Sequence, residues 1–136
     1  RNLILYFLDK HFPDPDHLVR PTDPLPIVVD EAEIRELFSS DDRLENYRAL
    51  NKAVREIGLN IPPLVNAYMA LSPEMRVFGT AINEDFGHVE ETGILIAIDE
   101  IIPDKRVRHI ETFDPDKAQS DLLWTNISRR VRLVKS

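Results

Sequence analysis

Side chains capable of chemistry concentrate in one polar segment, residues 83–92, with the sequence Asn-Glu-Asp-Phe-Gly-His-Val-Glu-Glu-Thr. Carboxylates crowded at the edge of a strand raise one another's proton affinity, so Asp85, Glu90 and Glu91 are candidates for general acid/base work or for oxygen ligation. Acidic loop residues are more often solvated surface groups, and that alternative stays open for each of the three. The segment is nevertheless the first place to expect a functional site.

Metal and thiol chemistry find little support in the sequence. The four histidines show neither i,i+4 nor any other paired ligand spacing, and the chain has no cysteine. His88 is the one histidine inside the polar segment, where it is a candidate base or, as for most loop histidines, a surface residue. We therefore expect no metal site.

A second candidate pair, Asn66 and Tyr68, follows the sequence Pro62-Pro63. Proline is tolerated in the first helical turn, and the apolar residues after it recur at helical spacing until Ser72-Pro73, which predicts a short helix. Tyr68 has two interpretations: its hydroxyl faces a pocket, or it is a core tyrosine with a backbone partner.

Two strands are expected to flank the polar segment. Residues Met75 to Ile82 alternate in polarity, as in a half-buried strand, whereas Gly93 to Ile98 form a continuous apolar run, as in a strand covered on both faces. The polar segment is then the loop that joins them.

Helices and a stiff connection precede these strands. Apolar spacing predicts an amphipathic helix over residues 2–12, and the prolines and aspartates of 13–26 predict a long loop. Asp30 and Asp42, each followed three residues later by glutamate, predict the starts of two helices, the second ended by Gly58.

Beyond Pro103 the patterns are weaker. They favour a strand or extended segment over Val107 to Phe113 and a helix around Leu122 to Val134. Together with the earlier elements, this pattern places the chain in the α/β (α+β) class, with a few central strands packed by helices.

Composition restricts the functional classes. A chain of 136 residues with 43% hydrophobic content supports one core. The lack of cysteine favours a reducing, cytoplasmic location, and no apolar run reaches the roughly 20 residues of a spanning helix. Residues 1–104 hold 9 basic and 20 acidic side chains, which argues against nucleic-acid binding.

The C-terminal residues differ in charge from the rest. Residues 105–136 hold 8 basic and 4 acidic side chains. This basic tail suits an acidic carrier protein or peripheral contact with an anionic inner membrane, and the alternative is a solvated helix or disordered end.

Three motifs carry a resemblance to a known family: Asn60-Ile-Pro-Pro-Leu-Val-Asn-Ala-Tyr68, Phe78-Gly-Thr-Ala-Ile-Asn-Glu-Asp-Phe-Gly87 and Glu91-Thr-Gly-Ile-Leu-Ile96. They resemble the C-terminal half of the GNAT-like N-acyltransferases that act on ornithine or glycine, a family also labelled haemolysin. The resemblance spans about residues 2–113 and leaves the basic tail outside. It implies a GNAT-like partial fold over 1–113, followed by a separate helix or tail over 114–136.

The resemblance implies transfer of a fatty acyl group from acyl carrier protein to the amino group of an amino acid or aminolipid precursor, without a bound cofactor. It implies Glu91 and Tyr68 as catalytic residues. The residues it implies for substrate binding are Asn66, Asp85, Thr80 and Thr92.

One departure from the family concerns the donor. None of the four glycines has the neighbours of the phosphopantetheine-binding turn. We therefore expect a fragment that opens inside a larger unit, is inactive alone, needs a missing N-terminal half, and forms homodimers through uncovered apolar surface. The alternative is a non-catalytic domain that docks acyl carrier protein or a partner domain. A catalytic role predicts an apolar groove beside residues 83–92.

Overall fold

The computed structural model describes residues 1–111. The chain divides into two compact units, Arg1–Ile101 and a second one that starts at Ile102. None of the helices in the described part is long and apolar enough to cross a membrane.

Four helices and a β-hairpin make up the first unit. The helices are α1 (Asn2–His11), α2 (Glu31–Leu37), α3 (Arg43–Glu56) and α4 (Pro63–Leu71). The hairpin consists of β1 (Arg76–Asn83) and β2 (Val89–Leu95), which pair antiparallel. The mixed α/β class predicted from the sequence is confirmed.

The helix starts follow the predicted capping residues. The Asp30 carboxylate accepts hydrogen bonds from the backbone amides of Ala32 and Glu33 at 2.8 and 3.1 Å. Asp42 accepts from Leu44 and Glu45 at 2.7 and 3.2 Å. Each aspartate thus satisfies amides that have no partner inside the helix, which fixes where α2 and α3 begin.

The core of the first unit lies where α1 packs against α3 and β1. Phe7 is 1% exposed and Leu50 is fully buried. The other buried apolar side chains come from α1, α2, α3 and the chain around β1: Leu8, Phe12, Ile34, Phe38, Val54, Ile61, Met75 and Val77. Burial of this cluster removes the apolar face of each helix from water and is the main favourable term in folding.

The hairpin differs from the sequence prediction in its second strand. That strand starts at Val89 rather than Gly93, ends at Leu95, and is largely exposed rather than covered on both faces. The turn Glu84–Phe86 with left-handed Gly87 is tight enough for the polar residues to join the ladder. β1 begins at the partner of Leu95, so the apolar residues after Leu95 have no strand to pair with.

The long loop predicted over 13–26 is confirmed, and it lies along β1. The Leu25 amide donates to the Thr80 carbonyl at 2.8 Å, and Pro24 forms a single antiparallel bridge with Ala81. The Arg76 guanidinium holds the start of this loop through ion pairs with Asp14, at 3.4 Å, and Asp16. These pairs raise the pKa of Arg76, led by its hydrogen bond to Asp16.

The second unit corrects a further prediction. Residues Val107 to Glu111 form a π-helical turn after α5 (Pro103–Arg106), not a strand or extended segment. Pro103 occupies a first-turn position, and the amides of Lys105 and Arg106 both donate to the Ile102 carbonyl at 2.9 Å, so helix propagates. The predicted helix around Leu122 to Val134 and the tail 114–136 lie outside the described residues.

Candidate functional site

The hairpin has two chemically different faces. Thr80 and Thr92 are direct partners in the ladder, and their Oγ1 atoms lie 2.7 Å apart. Thr80 is 7% exposed and shares its face with the Val77–Ile94 pair, which packs on the core. This hydroxyl pair is therefore an internal polar contact next to the apolar core.

Glu91 lies on the opposite face, because consecutive residues of a strand point to opposite sides. Its Oε1 atom accepts a hydrogen bond from Asn83 Nδ2 at 3.0 Å, a contact between the two strands. The side chain is exposed. Glu91 is thus a solvated carboxylate with one amide donor to orient it.

Glu90, which the sequence analysis considered but did not select, shares the face of Thr92. Its carboxylate forms an ion pair with the guanidinium of Arg1, the residue before α1. The pair joins the outer strand to the start of the first helix. If the strand had been predicted to start at Val89, its two-residue alternation would have placed Glu90 and Glu91 on opposite faces.

Asp85 lies in the turn between the strands and is exposed. His88 is also exposed, has a positive φ of 59°, and its Nδ1 atom lies 3.9 Å from the Glu84 carboxylate. This pair sits in solvent and adds little stability. Among the described residues, no cluster of histidine, cysteine, aspartate or glutamate is arranged to hold a metal ion.

Helix α4 carries the other two predicted residues. Asn66 accepts a hydrogen bond through Oδ1 from the Tyr47 hydroxyl at 2.8 Å. Tyr68 is half-buried and packs against the core, while no described residue makes a hydrogen bond with its hydroxyl. The hydroxyl of Tyr68 is therefore available to a ligand, whereas Asn66 already serves as a link between helices.

The six predicted site residues do not form one hydrogen-bonded cluster. Among the described residues, Thr80 bonds to Thr92, Glu91 bonds to Asn83, and Asn66 bonds to Tyr47 on α3. None of them joins α4 to the hairpin side chains. Because Glu91 and Thr92 point to opposite faces of β2, a compact ligand on one face contacts only one of them.

A buried polar network that was not expected from the sequence links α1 to α3. Asn46 is 1% exposed, and its Nδ2 atom contacts the Ser40 carbonyl at 2.7 Å and His11 Nε2 at 3.0 Å. Since Nδ2 donates, Nε2 of His11 accepts, which requires a neutral imidazole. Burial lowers the pKa of His11, and the nearby charges of Lys10 and Arg43 lower that pKa further.

One depression among the described residues lies on α3, away from residues 83–92. It is shallow and open, on the outer side of α3, and it is lined by polar and charged residues: Arg48, Asn51, Lys52, Arg55 and Glu56. This depression does not correspond to the apolar groove expected beside residues 83–92. The acidic side chains of the hairpin turn and of β2 are exposed.

Comparison with known proteins gives two strong similarities. The chain is 61% identical over 113 residues to a glycine N(alpha)-acyltransferase of Bacteroides thetaiotaomicron, and 62% identical over 113 residues to one of Phocaeicola vulgatus. The matches cover 83% of this chain but only 34% and 35% of those proteins. The chain thus spans about a third of the length of the curated relatives it matches. No family model and no solved structure matches.

Proposed function

We propose that this chain is part of an N-acyltransferase that moves a fatty acyl group from acyl carrier protein to the α-amino group of an amino acid, as a step of aminolipid biosynthesis. The observation that carries the proposal is the 61% and 62% identity to two proteins named glycine N(alpha)-acyltransferase. Glycine is accordingly the first acceptor to test.

The reaction sets clear chemical demands. The neutral amine nitrogen bonds to the thioester carbonyl carbon, the carbon–sulfur bond breaks, and the proton lost by the amine ends on the departing sulfur. A base, directly or through water, takes that proton, and hydrogen-bond donors stabilise the negative oxygen of the tetrahedral intermediate. The products are an amide and the free thiol of the carrier.

Two described groups suit these demands. The Tyr68 hydroxyl, which makes no hydrogen bond to the described residues, is suited to donate to the negative oxygen. The Glu91 carboxylate, oriented by Asn83, is suited to accept a proton or to bind the incoming ammonium group. We assign Asp85 to the acceptor side with Glu91. Thr92, on the other face of β2, pairs with Thr80 and supports the hairpin, and Asn66 positions α4.

The test uses a chimera in which the matched 113 residues of this chain replace those of the Bacteroides thetaiotaomicron relative. Long-chain acyl carrier protein and glycine are supplied, and N-acylglycine is quantified by mass spectrometry. Tyr68→Phe and Glu91→Gln are each expected to slow the reaction tenfold or more, about 1.4 kcal/mol in the barrier. The matched controls Tyr6→Phe and Glu84→Gln are expected to retain the rate.

A product rate indifferent to both Tyr68→Phe and Glu91→Gln would remove these residues from the catalytic roles. It would favour a second function, a non-catalytic domain that docks the carrier protein or the rest of the enzyme. The open, charge-lined depression on α3 is the observation that supports this second function.

A further inference from the structure

Helix α3 carries a row of three cations on its outer side, Arg48, Lys52 and Arg55, which we call the α3 ridge. The spacing i, i+4, i+7 places them on one face over about 10 Å of helix. The opposite face buries Leu50 and Val54 in the core. The fold therefore holds the α3 ridge in solvent on a helix that is fixed from behind.

Most of the ridge cations have no ionic partner among the described residues. Within residues 1–111, the guanidinium groups of Arg48 and Arg55 make no hydrogen bond or ion pair, and Lys52 reaches Glu56 only at 4.0 Å with both side chains exposed. Arg1 and Arg76, in contrast, are paired with carboxylates. The ridge side chains also line the shallow depression on this helix.

The row of three cations is electrostatically unfavourable when the chain has no partner. Like charges at i,i+4 repel each other on a helix, and carboxylates are plentiful elsewhere, with 20 acidic against 9 basic side chains over residues 1–104. Leu44, one turn before Arg48 and 56% exposed, adds apolar surface at the start of the ridge. Free cations next to an exposed apolar side chain form a surface complementary to an anionic partner.

We propose that the α3 ridge docks the acyl donor's carrier protein through an acidic helix of that carrier. The inference rests on the proposed function, which supplies the donor. A helix with carboxylates at matching spacing places them against Arg48 and Arg55, whose guanidinium groups bind carboxylates in a bidentate manner.

The geometry favours a protein helix over an anionic membrane. The ridge is narrow, with the carboxylates of Glu45 and Glu56 on the same helix beside it. A flat anionic bilayer brings negative charge against those carboxylates and against the acidic body of the unit, which repels it. A narrow acidic helix contacts the ridge and avoids the flanks.

Binding is measured on the 136-residue chain with fluorescently labelled long-chain acyl carrier protein, by anisotropy at low and high salt. Arg48→Glu with Arg55→Glu is expected to raise Kd at least tenfold. Arg20→Glu with Arg35→Glu, the same charge change at exposed positions off the ridge, is expected to change Kd less than threefold. Arg48→Gln with Arg55→Gln provides a milder variant, and circular dichroism verifies its folding.

Three results would overturn the docking surface. The first is no carrier binding by the unaltered chain, and the second is an equal loss in the ridge and control variants. The third is binding to phosphatidylglycerol vesicles, sensitive to the ridge, without binding to the carrier.

The chimera separates this inference from the proposed function. Ridge variants are expected to raise KM for acyl carrier protein while kcat with a small acyl thioester, such as an acyl N-acetylcysteamine, is unchanged. Transfer from the carrier with unchanged KM would overturn the docking surface and leave the function intact. No transfer from either donor, with carrier binding still sensitive to the ridge, would overturn the function and leave the docking surface intact.

Discussion

The hydroxyl of Tyr47 on α3 donates a hydrogen bond to Oδ1 of Asn66 on α4 across 2.8 Å. Helix α4 has no fully buried side chain and no side-chain cap, so this bond is one of the few specific contacts that set its place. Tyr68 lies two residues beyond Asn66 on the same short helix. The position of the proposed catalytic hydroxyl therefore depends on α3.

Replacing Tyr47 by phenylalanine removes this bond and leaves the ring in place. We expect Tyr47→Phe to lower the free energy of unfolding by about 1 kcal/mol, the typical net worth of a hydrogen bond. Urea denaturation followed by circular dichroism measures the change. Tyr6→Phe is the control, because the described residues give the Tyr6 hydroxyl no hydrogen bond, and equal stability of both variants would contradict the assignment.

The Thr80–Thr92 pair predicts a non-additive result. Thr80→Val alone leaves the Thr92 hydroxyl without its partner near the core, which costs about 1–3 kcal/mol, whereas replacing both with valine removes both polar groups at once. We expect the double variant to be no less stable than the worse single variant. A double-mutant cycle by denaturant titration tests this, and simple additivity would show that the hydroxyls act independently.

Gly79 sits at the irregularity in β1 with a φ of +102°, and a Cβ atom there would lie 3.4 Å from Pro21 Cγ. The backbone strain, rather than the contact, is expected to dominate in Gly79→Ala, at about 1–3 kcal/mol. Gly93→Ala on the paired strand is the control, since Gly93 has no positive φ. Thermal unfolding that ranks the two variants equal would exclude strain at Gly79.

His11 predicts a pH dependence of stability. Its pKa is lowered in the folded state, so below the ordinary value of 6.5 the unfolded chain binds the additional proton. The contribution of His11 to the free energy of unfolding is therefore fully present above pH 6.5 and is lost as the pH falls through its lowered, folded-state pKa. The decrease in the free energy of unfolding between about pH 7 and pH 5 is expected to be smaller in His11→Gln, whose amide oxygen still accepts a hydrogen bond from Asn46.

Chemical denaturation at several pH values compares the two proteins. Both proteins contain the same titratable groups apart from His11. The difference between their curves of unfolding free energy against pH therefore reports His11 alone. The charges that face it come from Lys10 on its own helix and Arg43 on α3. Parallel curves would mean that His11 is not the group responsible.

Local chemistry determined much of what the sequence predicted correctly. Asp30 and Asp42 accept backbone amides within their own turns, and Pro63 needs no donor at a helix start, so these boundaries follow from neighbouring residues. The loop over 13–26 followed from proline content in the same way. The amphipathic helix expected over residues 2–12 followed from helical periodicity and corresponds to α1.

The hairpin was less predictable because its strands are defined by pairing. The apolar residues Ile96 and Ile98 resemble a buried strand, but β1 has no residue left to pair with them, and the polar residues Glu90 and Glu91 enter the ladder instead. This register separates Glu91 from Thr92 across the sheet. The sequence therefore indicates each site residue separately, whereas the pairing of the two strands determines which of these residues share a face.

The most direct test of the central claim is the initial rate of N-acylglycine formation by the chimera that carries this chain's matched residues in the Bacteroides thetaiotaomicron relative. We expect product from long-chain acyl carrier protein and glycine, with a rate at least tenfold lower after Tyr68→Phe or Glu91→Gln. A folded chimera that forms no N-acylglycine, while the unaltered relative does, would contradict the claim that these residues are part of an N-acyltransferase.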